Sequence, residues 1–353
     1  MNSLAPRTLT SASDLAAAGL IPESAVAAIE RVTARYAVAI PPTIHELLNA
    51  SAHAPALMRQ FVPSADEVTV APGENDDPIG DHAHSPVKGI VHRYPDRALF
   101  LPTLTCAVYC RFCFRREDVG SAGVLTPAEM EAALDYLRGT PSIWEVILTG
   151  GDPLVLSARR VEEIMRALDR IAHVQVIRIH TRVPVAAPER IDASLVAALK
   201  ATGKAVYVAI HCNHPDEMTP AMRAACQRLS DAGIPLLAQS VLLKGVNDTP
   251  ETLEALMRGL VASRIKPYYL HQLDYAPGTS QFRVPVEEGR RLVKSLRGRV
   301  SGLAQPTYIL DIPGGAGKVP LTGPYVTEDN GSYAIEDPCG EVHVYPPSAG
   351  AQT

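Results

Sequence analysis

The chain has 353 residues, of which 46% are hydrophobic and 20% charged, and its formal net charge is -5. That is enough apolar material for one large domain with appendages, and the slightly acidic balance argues against a nucleic-acid partner. No run approaches the roughly 20 apolar residues of a membrane span, and Met1-Asn-Ser-Leu-Ala-Pro-Arg lacks a charged segment leading into an apolar one. Six scattered cysteines do not read as a disulfide-stapled secreted scaffold. A cytoplasmic protein without membrane contact is expected.

Residues 1–80 read as a helical appendage with its linker. The helix candidates lie over 15–20 and 24–36, and the Pro- and Asp-rich stretch 71–84 is the linker. From Arg97 onward, short β-prone runs alternate with amphipathic segments, as in repeated βα units with a parallel sheet. Strands are predicted over 98–104, 145–148, 174–179, 205–210, 236–242 and 266–273. Thr126-Pro-Ala-Glu129 has the form of a capping box, and Thr249-Pro-Glu-Thr repeats the idea. Over 157–172, Val161, Ile164, Met165 and Leu168 share one helical face suited to packing on a sheet. Six units are too few for a closed eight-stranded barrel, so the expected fold is α/β, a partial (β/α)6 TIM-type barrel, in preference to a doubly wound sheet. The barrel is expected over 81–300, and 301–353 would add a lysine-bearing loop and a short C-terminal extension with a flexible end over 346–353. Either topology puts a ligand site at the C-terminal ends of the strands.

The run Leu104-Thr-Cys-Ala-Val-Tyr-Cys-Arg-Phe-Cys-Phe-Arg-Arg116 follows the first predicted strand and brings Cys106, Cys110 and Cys113 together as C-x3-C-x2-C. A structural zinc site would need a fourth ligand, and Cys212, Cys226 and Cys339 form no second tight pair near the first. Packing would explain one cysteine but not three in register. The preferred reading is a [4Fe–4S] cluster with one iron left open for an exchangeable ligand.

Thr149-Gly150-Gly151-Asp152-Pro153 follows the second predicted strand. Its glycines permit close backbone approach to a ligand and Asp152 has acceptors for an ammonium group, although an ordinary βα turn would use the same residues. Asp311-Ile-Pro-Gly-Gly-Ala-Gly-Lys318-Val-Pro320 ends a glycine-rich loop in lysine. It is not a phosphate-binding P-loop, because Ile312 and Val319 stand where that motif needs glycine and Ser or Thr. Lys318 is then either a solvated lysine or one that forms a Schiff base with pyridoxal phosphate. The spacing does not choose between them.

The cysteine run with Phe112 before its last cysteine resembles the radical S-adenosylmethionine superfamily. Over roughly residues 78–326 the chain resembles the lysine 2,3-aminomutase family within it. The resemblance is carried by Ser85-Pro-Val-Lys-Gly-Ile-Val-His-Arg-Tyr-Pro-Asp-Arg97, the cysteine run, Thr149–Asp152, Asn213-His-Pro-Asp-Glu217, the run from Gln239 to Asp248, Lys266-Pro-Tyr-Tyr-Leu270 and the run from Asp311 to Pro320.

This resemblance implies an isomerase that moves the α-amino group of L-lysine to Cβ, giving β-lysine through a 5'-deoxyadenosyl radical and a pyridoxal 5'-phosphate aldimine. It implies that Cys106, Cys110 and Cys113 hold the [4Fe–4S] cluster, that S-adenosyl-L-methionine fills the open iron, and that Thr149, Gly150, Gly151 and Asp152 help to hold it. Lys318 matches the lysine that binds pyridoxal phosphate, and Arg93 and Arg97 match arginines on the coenzyme's phosphate. Arg115 matches the partner of the substrate carboxylate, while Asp274 and Asp311 match the partners of its ε-ammonium group. An electron donor such as flavodoxin or ferredoxin is implied as well. The longer relatives share a zinc between a C-terminal cysteine cluster and a cysteine matching Cys226. Cys339 stands alone in this tail, so no zinc is expected, Cys226 reads as a buried helix residue, and the family's tetramer does not carry over, although some homo-oligomer is compatible with the chain. Cys113-Phe-Arg-Arg116 also resembles the branch making (R)-β-lysine for elongation factor P, but the loop from Asp311 to Lys318 looks more like the mutases of free lysine.

Overall fold

Nine strands in chain order build one curved sheet. They are β1 (Ile90–Tyr94), β2 (Arg97–Thr103), β3 (Glu145–Gly150), β4 (Val176–Thr181), β5 (Ala205–His211), β6 (Leu236–Val241), β7 (Ile265–His271), β8 (Thr307–Ile312) and β9 (Gly317–Pro320). The computed structural model describes residues 7–120, 123–329, 332–337 and 340–345. Strands β2 to β8 run parallel, and β1 and β9 close the two edges in antiparallel fashion. All six predicted strands form. A seventh parallel strand, β8, extends the open barrel past the expected boundary at residue 300, and β9 folds back on it with Lys318 opposite Asp311.

The connecting helices begin where short polar side chains satisfy otherwise unpaired backbone donors. Thr126, Ser157, Asp192, Thr219 and Thr249 each accept from an N–H in the first turn. Only Thr126 of the two predicted boxes is reciprocal, because Thr252 lacks the carboxylate that Glu129 returns. Along β3 and β4 the alternate residues Val146, Leu148, Ile177 and Ile179 are buried in the apolar core, and Val161, Ile164, Met165 and Leu168 of the helix Ala158–Asp169 join the same core. Each such side chain contributes roughly 1.5–3 kcal/mol by leaving water. Cys226 is a buried residue of the helix Pro220–Asp231.

The N-terminal segment is more helical than predicted. Helices span Ala12–Ala17, Val26–Thr33, Pro42–Ala50 and Ala54–Phe61, the last two started by prolines in their first turn. Leu15, Ile29, Ile44, Leu57 and Phe61 share the barrel's apolar core. The stretch 71–84 is not a loose linker. Asp77 accepts from the backbone of Asp81 and His82, the Glu74 carboxylate accepts from Gly278 and Arg283, and a Cβ on Gly80 would lie 2.7 Å from Gly314. Glu74 and Asp77 accept from backbone here instead of facing water. Beyond the barrel, Val326–Asp329, Ser332–Glu336 and Val342–Tyr345 pair as a small antiparallel sheet. Cys339 and residues 346–353 lie outside the described residues. Among the described residues no helix is long and apolar enough to cross a membrane.

Candidate active site

Side chains alternate across a strand, so the residues whose neighbours pack outward point into the barrel. An ordinary barrel of this kind fills its interior with branched apolar residues. Here the inward set includes Arg97, Glu145, Thr149, Arg178, His180, His211, Gln239, Tyr269, His271 and Asp311, and it lines a cavity of about 520 Å³. The cavity reaches from the cysteine loop after β2 down to Trp144 and Glu145 at the start of β3. Every residue assigned a site role from the sequence lines it.

Cys106, Cys110 and Cys113 are half-buried free thiols on the loop leaving β2. Glu67, wholly buried, locks that loop by receiving Arg111 at 2.6 Å and Arg116. The Gly-Gly-Asp turn holds its other side, with Gly151 N donating to Thr103 O at 2.8 Å and Asp152 N to Thr105 O at 2.9 Å. A Cβ on Gly151 would stand 2.4 Å from Thr105 O, so no larger residue fits between the turn and the loop. Burial pushes the Cys106 thiol well up, helped by the Asp152 charge and the other two sulfurs, and burial with Cys110 pushes Cys113 up to about 11. Thiolates so arranged are costly alone and call for cationic partners. No group of three or more His, Cys, Asp or Glu among the described residues converges as the ligands of one metal ion would. Three thiols on one loop are the donor set that a cluster takes, one sulfur to each of three irons.

Asp152 departs from the expectation. Its carboxylate receives the Thr181 hydroxyl at 2.7 Å and the backbone N–H groups of Leu154, Arg182 and Val183 at 3.0, 2.6 and 3.1 Å. A carboxylate offers about four lone-pair sites, so this one is saturated by protein donors and not by a ligand ammonium. It joins the end of β3 to the end of β4.

Beside the cysteine loop, charges are paired across chain segments. Asp81, from the supposed linker, takes Arg115 at 2.7 and 2.8 Å and Arg93 at 2.9 Å. Arg93 also lies 3.8 Å from Asp311, and its buried Nε has no hydrogen-bond partner. Lys318 donates to Asp311, and His271 approaches the same carboxylate at 3.5 Å. Burial raises Asp311, but His271 and Lys318 prevail and hold it down at about 2. Lys318 is aimed by its backbone, whose N–H donates to the Tyr94 hydroxyl at 2.9 Å after Gly314 and Gly315 turn the chain with φ of 76° and 87°. Asp274 differs from the other carboxylates: no cation among the described residues pairs with it, and burial and the Asp311 charge push it up to about 7. Arg97 stacks 3.7 Å from the Tyr94 ring centroid and pairs with Asp96 at 2.7 Å.

The sequence analysis assigns no role to Asp81 or to the inward Glu145, Arg178, His180, His211, Gln239, Tyr269 and His271. Burial holds His180, His211 and His271 below the usual imidazole range, His211 at about 3, so the cavity wall is largely uncharged there. The signal was present in Val-Ile-Arg-Ile-His-Thr181, where polar residues interrupt an apolar strand at every second position.

Comparison with known proteins gives this geometry a family. Residues 100–258 match the model of the Radical SAM superfamily, and residues 293–335 match that of Lysine-2,3-aminomutase. The chain is 41% identical over 299 residues to the L-lysine 2,3-aminomutase of Acetoanaerobium sticklandii, covering 84% of this chain and 72% of that one. It is 42% identical over 290 residues to the enzyme of the same name from Clostridium subterminale, covering 82% and 70%. A glutamate 2,3-aminomutase from Clostridioides difficile is 38% identical over 263 residues, covering 74% and 62%. Because the two family models cover the cysteine-bearing barrel and the lysine-bearing C-terminal region, and these relatives are about 40% identical over most of the chain, the chain belongs to the lysine 2,3-aminomutase family of radical S-adenosylmethionine enzymes and is an isomerase.

Proposed function

We propose that this aminomutase acts on L-lysine, moving its α-amino group to Cβ to give β-lysine, with a [4Fe–4S] cluster, S-adenosylmethionine and pyridoxal 5'-phosphate as cofactors. The observation that carries the substrate is Asp274. Its carboxylate shares the cavity with Asp311 and has no paired cation among the described residues. A closed site meets a long cationic side chain with negative charge, because an unpaired buried ammonium is very costly. A substrate with a second carboxylate would be repelled by the same pair.

In this reading Cys106, Cys110 and Cys113 would hold the cluster, and the backbone of Thr149, Gly150 and Gly151 would border S-adenosylmethionine. Arg93, with an unspent Nε, and Arg97 receive the coenzyme's phosphate, for which a guanidinium fork is well suited. Together the bound groups supply a carbon-centred radical and a π-system able to carry the migrating nitrogen. Lys318 would hold the coenzyme through its Nζ, the atom that donates to Asp311 in the unliganded protein. Asp311 and Asp274, which line the same cavity, would receive the ε-ammonium of the substrate. Arg115 orients the substrate carboxylate in exchange for its bond to Asp81. Burial of Arg115 and Asp311 helps to exclude water from the reacting centre.

Anaerobically reconstituted, reduced protein should convert lysine, in a panel with arginine, glutamate and ornithine, to a β-amino acid resolved by chiral chromatography. Formation of β-glutamate without β-lysine would refute the assignment.

A further inference from the structure

We propose that Arg182 is a positioning residue that sets the reduction potential of the cluster through a hydrogen bond to the Cys110 sulfur. This inference rests on the reading that Cys106, Cys110 and Cys113 hold the cluster. Arg182 follows β4 directly and is 6% exposed. Its Nη1 donates to Cys110 Sγ at 2.9 Å, while Nη2 donates to Gln60 Oε1 at 2.8 Å and to Glu217 Oε2 at 2.5 Å. The guanidinium lies 4.7 Å from the Phe61 ring centroid and 5.7 Å from that of Phe112. Its backbone N–H is one of the donors that saturate Asp152.

These contacts aim one donor at one sulfur. The Gly-Gly-Asp turn fixes where the side chain starts, two aromatic rings restrict its plane, and two acceptors from distant segments hold its far edge. Glu217 is itself held by Gln60 Nε2 at 2.9 Å and by the backbone of Asn213 and His214 at 3.0 and 2.9 Å. A lysine could not present this fork to three acceptors at once. Nothing in the binding of lysine or of pyridoxal phosphate calls for such an arrangement. Its target is the cysteine.

Reduction adds one electron, from an external one-electron reductant, to a cluster whose charge is shared with its thiolates. An N–H donor on a thiolate stabilises the more negative state and raises the potential, as hydrogen bonds to cluster sulfurs do generally. Glu217 neutralises most of the distant field of the guanidinium, so the effect comes from the short, charge-assisted bond and its orientation. The N-terminal segment takes part through Gln60, which also accepts from Asn213 Nδ2 at 3.1 Å. The residues before the barrel therefore contribute to the cluster's electrostatics as well as to packing.

The test is a mediated redox titration of the reconstituted cluster, followed by electron paramagnetic resonance, with iron and sulfide content measured in parallel. Wild type is compared with Arg182→Lys and with the double variant Arg182→Gln/Glu217→Gln, which leaves no unpaired buried charge. We expect wild-type iron content and a reduction equilibrium at least tenfold less favourable in the double variant, a midpoint lower by about 59 mV for one electron, with Arg182→Lys between the two. A loaded double variant with the wild-type midpoint overturns the tuning role alone. Full iron content and an unchanged response to S-adenosylmethionine in Cys110→Ala overturn it together with the cysteine assignment. If neither Arg182 variant loads, wild-type protein carrying heavy nitrogen only in its arginine guanidinium groups decides the matter: hyperfine coupling of that isotope to the reduced cluster supports the hydrogen bond, and its absence overturns it.

Discussion

Replacing Asp274 by asparagine should stabilise the unliganded protein above neutrality while weakening its hold on a cationic substrate. Burial, and then the Asp311 charge, move the carboxyl from 3.8 to about 7. The native state thus keeps a proton through a window in which the unfolded chain releases it, and stability falls as pH rises from 3.8 to about 7. The two values lie about three pH units apart, and at 1.36 kcal/mol per unit the native carboxylate costs at most about 4 kcal/mol above that window. Asp274 is only half-buried, so about 2 kcal/mol is the expected gain from asparagine. Urea unfolding of the apoprotein well below and well above neutrality measures the difference, which should be near zero on the acid side. A gain independent of pH, or none at alkaline pH, would refute the account of this carboxylate as uncompensated. The same substitution should raise KM for lysine, because the second negative charge facing the ε-ammonium is gone.

Three further outcomes follow from other parts of the site. Glu67→Gln leaves Arg111 and Arg116 buried without their carboxylate and should cost about 3–5 kcal/mol, read by chemical denaturation; a loss below 1 kcal/mol, the order of an exposed pair, would contradict a structural role for Glu67. Gly151→Ala puts a methyl group against Thr105 O and should destabilise by roughly 1–3 kcal/mol, with iron content after reconstitution falling further than secondary structure measured by circular dichroism. Lys318→Ala should abolish the visible absorption that pyridoxal phosphate acquires when bound through the lysine, and a retained band would remove Lys318 from that role.

The residues before the barrel illustrate how far composition carries. Prolines and acidic residues over 71–84 predict an absence of regular structure, and there is none beyond the short turn His82–His84. Composition does not reveal that Asp81 enters the cavity to hold Arg93 and Arg115, because that depends on β1 and the cysteine loop lying beside it. The hidden strand β8 has a similar cause. Its sequence, Thr-Tyr-Ile-Leu-Asp-Ile, is short and precedes a glycine-rich loop, and its place in the sheet comes from parallel pairing with β7, more than thirty residues earlier.

Short-range patterns suffice for the cysteine triplet, the Gly-Gly-Asp turn, the lysine-bearing loop, the parallel strands and most helix starts, since spacing, caps and alternation are local properties of the chain. Pairing of charges across the barrel is not local. The saturation of Asp152, the isolation of Asp274 and the aim of Arg182 at Cys110 arise only when segments dozens of residues apart meet in a low-dielectric interior, where a buried charge is governed by whichever groups surround it. Local spacing marks the cysteines, the Gly-Gly-Asp turn and Lys318 as groups of the cavity, whereas the meeting of distant segments settles which groups satisfy one another and which are left for a ligand.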